Sequence, residues 1–185
     1  LRFFTDSVEA MRLDASGNLG LGTSNPETKM NIEGTTDTEL RIKGIANTTG
    51  QGASVGLFEG ANSVNGGRIR YDGGTNSLNL LGVDGTSTER LGIAIARDTG
   101  NVGVGTSTPS AKMHIQDGSA GTVTASSESR LVVESSLEAA ISLLTPDNRQ
   151  SAIYFGSPSD SIGCQVSWKH SDKDLVIGTA VTSGG

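Results

Sequence analysis

The chain has 185 residues, of which 34% are hydrophobic and 4% aromatic, with 26 glycines and a formal charge of −6. That length permits one or two ordinary domains, but so few and such small apolar side chains leave either several thin cores or a core shared with partner chains. The acidic balance argues against a nucleic-acid partner or anionic lipid, and no apolar run nears the ~20 residues of a membrane span, so no membrane insertion is expected.

With 18% charged residues and apolar residues at regular spacings, the composition is not that of a disordered chain. Cys164 stands alone, so no intrachain disulfide forms. There is no signal-peptide pattern, and the chain begins and ends in mid-pattern, as a piece of something longer does.

In chain order, the opening LRFFTDSVEAMRLDASGN resembles the later stretch LNLLGVDGTSTERLGIAIARDTGN, so it is expected to be the tail of a preceding module. Residues 17–32, GNLGLGTSNPETKMNI, return as residues 100–115, GNVGVGTSTPSAKMHI, with ten of sixteen positions identical at an offset of 83. A cassette repeated within one chain marks a modular array. Apolar residues alternate nearly everywhere: Leu19/Leu21, Met30/Ile32, Leu40/Ile42, Ile69/Tyr71, Leu78/Leu80, Val102/Val104, Met113/Ile115, Val166/Trp168 and Leu175/Ile177. Period two predicts short, half-buried strands.

Turns are predicted between them at Ser16-Gly17, Asn65-Gly66, Asp72-Gly73, Asp84-Gly85, Thr99-Gly100 and Asp117-Gly118. The stretch Ser136–Leu144 is rich in Ala and Leu, which favours helix. Yet Leu131, Val133, Leu137, Ala139, Ile141 and Leu143 hold period two, so one long strand or two strands are expected over 131–143. Beyond the cassette, Phe58, Gly66, Ile69, Tyr71 and Leu78 match Phe155, Gly163, Val166, Trp168 and Leu175 at an offset of 97, which places 14 extra residues in the second copy. The array therefore divides into a connector cassette (1–33), a β module (34–91), a second cassette (92–117) and a second β module (118–185). Modules this short rarely hold themselves together without disulfides or metal, which leaves self-association.

Chemistry-bearing patterns are sparse. Gly17, Gly20 and Gly22, like Gly100, Gly103 and Gly105, have the reverse of the dinucleotide-loop spacing and lead into Thr-Ser-x-Pro rather than a helix. Positive φ, or close approach of strands from neighbouring chains, explains them better. The only histidines are His114 and His170. His170-x-Asp172-x-Asp174 is the one metal-like spacing, and it reads as a solvated hairpin turn. Cys164 has no base beside it in sequence and no nucleophile elbow occurs, so no catalytic residue is expected. A carboxylate pair for glycoside hydrolysis is not excluded by spacing. Phe58, Tyr71, Tyr154, Phe155 and Trp168 could stack on sugars, but the shared module position of Tyr71 and Trp168 points them to a core or an interface. Asn47-Thr48-Thr49 is a lone glycosylation sequon.

The string Glu89-Arg-Leu91, continued through Asp98-Thr-Gly-Asn-Val-Gly-Val-Gly-Thr-Ser-Thr-Pro-Ser-Ala-Lys-Met-His-Ile115, resembles the connector repeated in bacteriophage tail fibres and in related trimeric adhesive fibres of bacteria, including predatory ones. Ser151-Ala-Ile-Tyr-Phe-Gly-Ser-Pro-Ser-Asp160 with Gly163-Cys-Gln-Val-Ser-Trp-Lys-His-Ser-Asp-Lys-Asp-Leu175 resembles the β module that alternates with it. The first module departs, with Leu57-Phe58-Glu59 in place of Tyr-Phe-Gly and Tyr71-Asp-Gly-Gly-Thr-Asn76 in place of the His-Ser-Asp turn.

The resemblance implies an intertwined, parallel homotrimeric all-β fibre, with β-sandwich or β-prism modules between the cassettes. It also implies an extracellular location, on a virion or a cell, and a target-cell surface receptor, commonly a glycan. The self-cleaving Ser–Lys chaperone domain of many such fibres has no match in these residues. The expectation is thus a non-enzymatic adhesin segment with no cofactor and no metal, burying Leu19, Leu21, Val102 and Val104 about a common axis. The alternatives are a purely structural shaft with its binding tip elsewhere, or a polysaccharide-degrading spike.

Overall fold

The computed structural model describes residues 1–35, 38–44, 52–59, 65–86 and 88–179. Among these the chain is all-β: no helix forms, and the strands make three sheets whose neighbours in space are neighbours in sequence. The first sheet holds β1 (Arg2–Thr5), β2 (Val8–Leu13), β3 (Leu19–Leu21) and β4 (Met30–Ile32). Asp6 and Ser7, both at positive φ, turn β1 into β2, matching the right-handed twist of the flanking strands.

The second sheet holds β5 (Ser54–Glu59), β6 (Asn65–Asp72), β7 (Ser77–Val83), β8 (Glu89–Ala96), β9 (Val102–Val104), β10 (Met113–Asp117) and β11 (Leu131–Ser135). It is antiparallel from β5 to β9 and parallel from β9 to β11. The third sheet is an antiparallel meander of β12 (Gln150–Ser157), β13 (Asp160–Lys169) and β14 (Asp174–Thr179).

The repeated cassette folds the same way twice. β2, β3 and β4 superpose in topology on β8, β9 and β10: an antiparallel step, then a parallel one. Each parallel step is closed by only eight residues, 22–29 and 105–112. Crossovers normally need a dozen or more. Here β3 and β9 are three residues long, so the return path is only about 10 Å and eight residues span it.

Gly22 and Gly105 open the crossovers at φ 75° and 76°, where a Cβ would run into the carbonyls of Glu33 and Gln116. Gly20 and Gly103 have no room for a Cβ beside the carbonyls of Thr23 and Thr106. The chain's own crossover is enough to crowd these two glycines. Lys29 Nζ donates to the Ser16 carbonyl at 2.8 Å, and Lys112 Nζ to the Thr99 carbonyl at 3.0 Å, the same lock in both copies.

The eight predicted strand pairs other than Leu40/Ile42 lie in strands. Leu40 and Ile42 do not, because residues 38–44 run without a ladder partner among the described residues. Asn65-Gly66 is not a turn: both residues belong to β6, with Gly66 at φ 154° between Phe58 and Val83. Over 131–143 only the first half is strand, and 136–149 is neither helix nor strand.

The module match holds at offset 97 for β6/β13 and β7/β14, since Ile69 faces Leu80 as Val166 faces Ile177. It slips by one residue for β5/β12. Val55 faces Ile69 as Ile153 faces Val166, so Leu57, not Phe58, occupies the place of Phe155. In a strand that slip moves Phe58 to the opposite face.

Candidate functional site

The ladder registers place one apolar row across the whole second sheet. Val55, Ile69, Leu80, Ile93, Val104, Ile115 and Val133 are successive cross-strand partners. A second row follows beside it: Tyr71, Leu78, Ile95, Val102, Met113 and Leu131. Cross-strand partners share a face, so all of these side chains point to one side. No other strand among the described residues packs over them. The large aliphatic members from Val55 to Leu131 that stand free keep 37–50% of their surface exposed.

The first sheet repeats this on a smaller scale with Phe3, Met11, Leu13, Leu19, Leu21, Met30 and Ile32. The third does so with Ile153, Val166 and Ile177 beside Trp168 and Leu175. Each of the three sheets thus leaves a contiguous apolar face open among the described residues.

The opposite face of the second sheet is the buried one. In β7, Ser77, Asn79, Leu81 and Val83 are buried, while Leu78, Leu80 and Gly82 are exposed. The buried face carries a polar network. Thr75 and Ser77 hydroxyls lie 2.7 Å apart, and Ser77 Oγ donates to Asn79 Oδ1 at 2.9 Å. Arg70 pairs with Glu89 at 2.5 Å, beside Arg68 at 3.2 Å from the same carboxylate. Further along, the crossover 105–112 lays the buried Thr106 and Ala111 on that side, where Ala94 is fully covered. These polar residues are held under the chain's own turns, and the alternating leucines face away from the protomer.

Gly82 belongs to the exposed apolar side. A Cβ there would meet nothing within 4 Å, and its φ lies outside the left-handed region. No contact inside the chain requires a glycine at this position.

His114 carries a second feature, missed in the sequence. Its Nδ1 accepts from the Ser110 backbone N–H at 3.3 Å, which fixes the neutral tautomer with the proton on Nε2. Nε2 then donates to Glu134 Oε2 at 2.9 Å, and Glu134 Oε1 accepts from the Ala120 N–H at 2.8 Å. That backbone donor first, and the His114 hydrogen bond after it, holds the Glu134 carboxyl below its usual range.

The first cassette has Asn31 in the same place, accepting from the Glu27 N–H at 3.5 Å. His114 therefore does the work of Asn31 and reaches further, to β11. The alignment of Asn31 with His114 was visible, but Glu134 lies twenty residues on. Beside this pair lies a cleft of about 610 Å³ lined by Thr108, Ser110, Gln116, Thr124, Val123 and Leu137 among others.

The other residues singled out by sequence do not assemble. Phe58 lies under the Arg68 guanidinium at 5.2 Å, on the face opposite Tyr71. Tyr71 Oη accepts from Arg97 Nη1 at 3.0 Å. Phe155, Cys164 and Trp168 share the apolar face of the third sheet, and Tyr154 points the other way. The sugar-stacking aromatics are thus divided among faces and sheets. His170 sits in the β13–β14 turn, with its Nε2 3.3 Å from Ser151 Oγ and its ring edge-on to Trp168. Among the described residues no group of three or more His, Cys, Asp or Glu comes together to hold a metal. Asn47-Thr48-Thr49 lies outside the described residues.

No protein-family model and no curated protein sequence matches the chain.

Proposed function

We propose that the chain is a non-enzymatic segment of a trimeric, tail-fibre-like adhesin that projects from a particle or cell and engages a target-cell surface receptor, with a glycan as the expected class. The observation that carries this is the inverted burial of β7: Ser77 and Asn79 are covered while Leu78 and Leu80 stand in solvent. A chain that worked alone would gain by the reverse arrangement. Three copies turning their apolar faces to a common axis remove all three sheets' exposed rows from water at once. They also bring Leu19, Leu21, Val102 and Val104 together as the sequence suggested.

The energetics support self-association. Fully burying a Leu or Ile side chain contributes about 1.5–3 kcal/mol, so covering the remaining two-fifths yields roughly 1 kcal/mol each. The eight residues Val55, Ile69, Leu78, Leu80, Ile93, Ile95, Met113 and Leu131 then supply on the order of 8 kcal/mol per chain in the second sheet alone. That compares with the ~4–15 kcal/mol that association costs.

In such an assembly the crossovers and the His114 cleft face outward. The cleft's hydroxyl and amide groups beside Val123 and Leu137 suit a neutral sugar, and three copies gain avidity from weak sites. Light scattering should give three times the 18.9 kDa chain mass. A glycan array on that trimer separates the functions: binding supports the adhesin, and silence towards every glycan and target cell assigns the segment to a structural shaft. Release of reducing ends from capsule or O-antigen would replace both with a degrading spike.

A further inference from the structure

The segment Leu137–Leu144 has the sequence pattern of a strand but no ladder partner among the described residues. Its apolar residues keep period two, with Leu137 and Ile141 exposed at 81% and 65%. Among the described residues, the only hydrogen bonds at 137–144 are at its ends: the Leu137 N–H to Ser135 Oγ, and the Leu143 carbonyl from Ser151 Oγ. Backbone groups in a segment this apolar need partners once it is covered.

Immediately downstream, β12 is an edge strand without lysine, proline or a covering element among the described residues, its one irregularity a register shift between Phe155 and Ser157 at its far end. Gln150-Ser-Ala-Ile-Tyr-Phe-Gly-Ser157 has no charged residue, and Ile153, Tyr154 and Phe155 are all exposed. Natural edges are normally blunted by lysine, proline or a covering element.

The two do not pair within one chain, and the turn between them shows why. It closes with the Arg149 N–H on the Pro146 carbonyl at 2.9 Å, and neither Asp147 nor Asn148 has positive φ. A turn of that hand splays the flanking strands instead of matching their twist. Module 1 has the same arrangement: the unladdered Leu40 and Ile42 precede the edge strand β5.

We infer that Leu137–Leu144 of one chain adds as a fourth strand to the β12 edge of a second copy of this chain. The inference rests on the trimeric reading above. In the third sheet each chain offers both this segment and the β12 edge, so head-to-tail pairing around a threefold axis satisfies every such segment and every such edge. The segment carries a single charge, Glu138, and the edge none, so neither side resists the pairing.

The test uses two variants of the 185-residue chain on a Cys164→Ser background, one with Ala140→Cys and one with Tyr154→Cys. These are the midpoints of segment and edge, and they meet in either strand direction. After co-refolding, a short bifunctional maleimide should give a covalent pair of twice the 18.9 kDa chain mass. Ser127→Cys in place of Ala140→Cys should give none. In the unmodified trimer, amides 138–144 should exchange more than about tenfold slower than in an unstructured chain. A trimer by light scattering that gives no such pair, or exchanges these amides freely, overturns the strand addition and leaves the trimer standing. A monomer at all concentrations overturns both.

Discussion

Leu80→Asp places a carboxylate in the middle of the exposed apolar row, between Ile69 and Ile93. In a lone chain the change is mild. The side chain is already 43% exposed, and the loss is that of two cross-strand apolar contacts, about 0.5–1 kcal/mol. In the trimer the same change acts three times. Each chain forfeits roughly 1 kcal/mol of apolar burial. Each also puts an unpaired carboxylate out of water, at several kcal/mol per ion after relaxation, beside two like charges. The sum is on the order of 10 kcal/mol or more against assembly, a weakening of about seven decades at 1.4 kcal/mol per decade. Size-exclusion chromatography with light scattering should therefore report one 18.9 kDa chain for the variant and three for the parent, with β-type circular dichroism retained. Ser127→Asp, in an exposed loop, should leave the mass unchanged. A variant that keeps the parent's oligomeric state would show that this face is not the interface.

Gly82→Val should raise the stability of the isolated chain by up to about 1 kcal/mol, since a β-branched residue suits an open strand position, and yet weaken the trimer in dilution experiments. Gly105→Ala should cost more than about 1 kcal/mol in urea unfolding, because φ 76° and the Gln116 carbonyl both oppose a Cβ. His114→Asn should keep the acceptor for the Ser110 N–H and lose the Glu134 contact, lowering stability by about 1–2 kcal/mol and speeding amide exchange over 118–126. Asp84 has its pKa lowered to about 2, first by the Thr86 hydroxyl, then by backbone N–H groups and Arg90. A depressed carboxylate stabilises the fold above its ordinary value of 3.8 and loses that contribution as pH falls toward 2. Thermal unfolding at pH 5 and pH 2.5 should show the drop, and Asp84→Asn should shrink it.

The strand pattern was legible because period two is a local property: Leu78/Leu80 and Val102/Val104 announce strands wherever their partners lie. The repeat was legible for the same reason, and the offset of 83 reappears in the two lysine locks. What period two cannot say is which side of a strand the protomer covers itself. Ser77 and Asn79 took the covered side, where the Thr75 hydroxyl of the turn partners Ser77 and Ser77 in turn donates to Asn79. Leu137–Leu143 kept the period and formed no ladder, since a ladder needs a partner strand and not only a pattern. Asn65-Gly66 gave a turn signal inside a strand, where Gly66 at φ 154° lies close against Leu57 and Phe58. The His114–Glu134 pair was hidden because parallel pairing of β10 with β11 brings together residues twenty apart, with no short motif to mark them.

The cassette has a mechanical consequence. A meander of hairpins returns the chain to its starting level at every second strand, so it builds a wide sheet and not a long one. The step from β3 to β4, and from β9 to β10, is parallel instead. Each such step returns the chain through eight residues whose glycines accept φ near 75° and whose lysine ties the crossover to the preceding turn, so the next strand runs the same way and ends one strand length further on than a hairpin would. In the second copy His114 extends the device, bonding the crossover to β11 and adding a second parallel step. At the second step the crossover buries only a small patch of its own, formed by Thr106, Ala111, His114 and Ala94. The apolar sheet faces stay open among the described residues, and in the proposed trimer other copies close them.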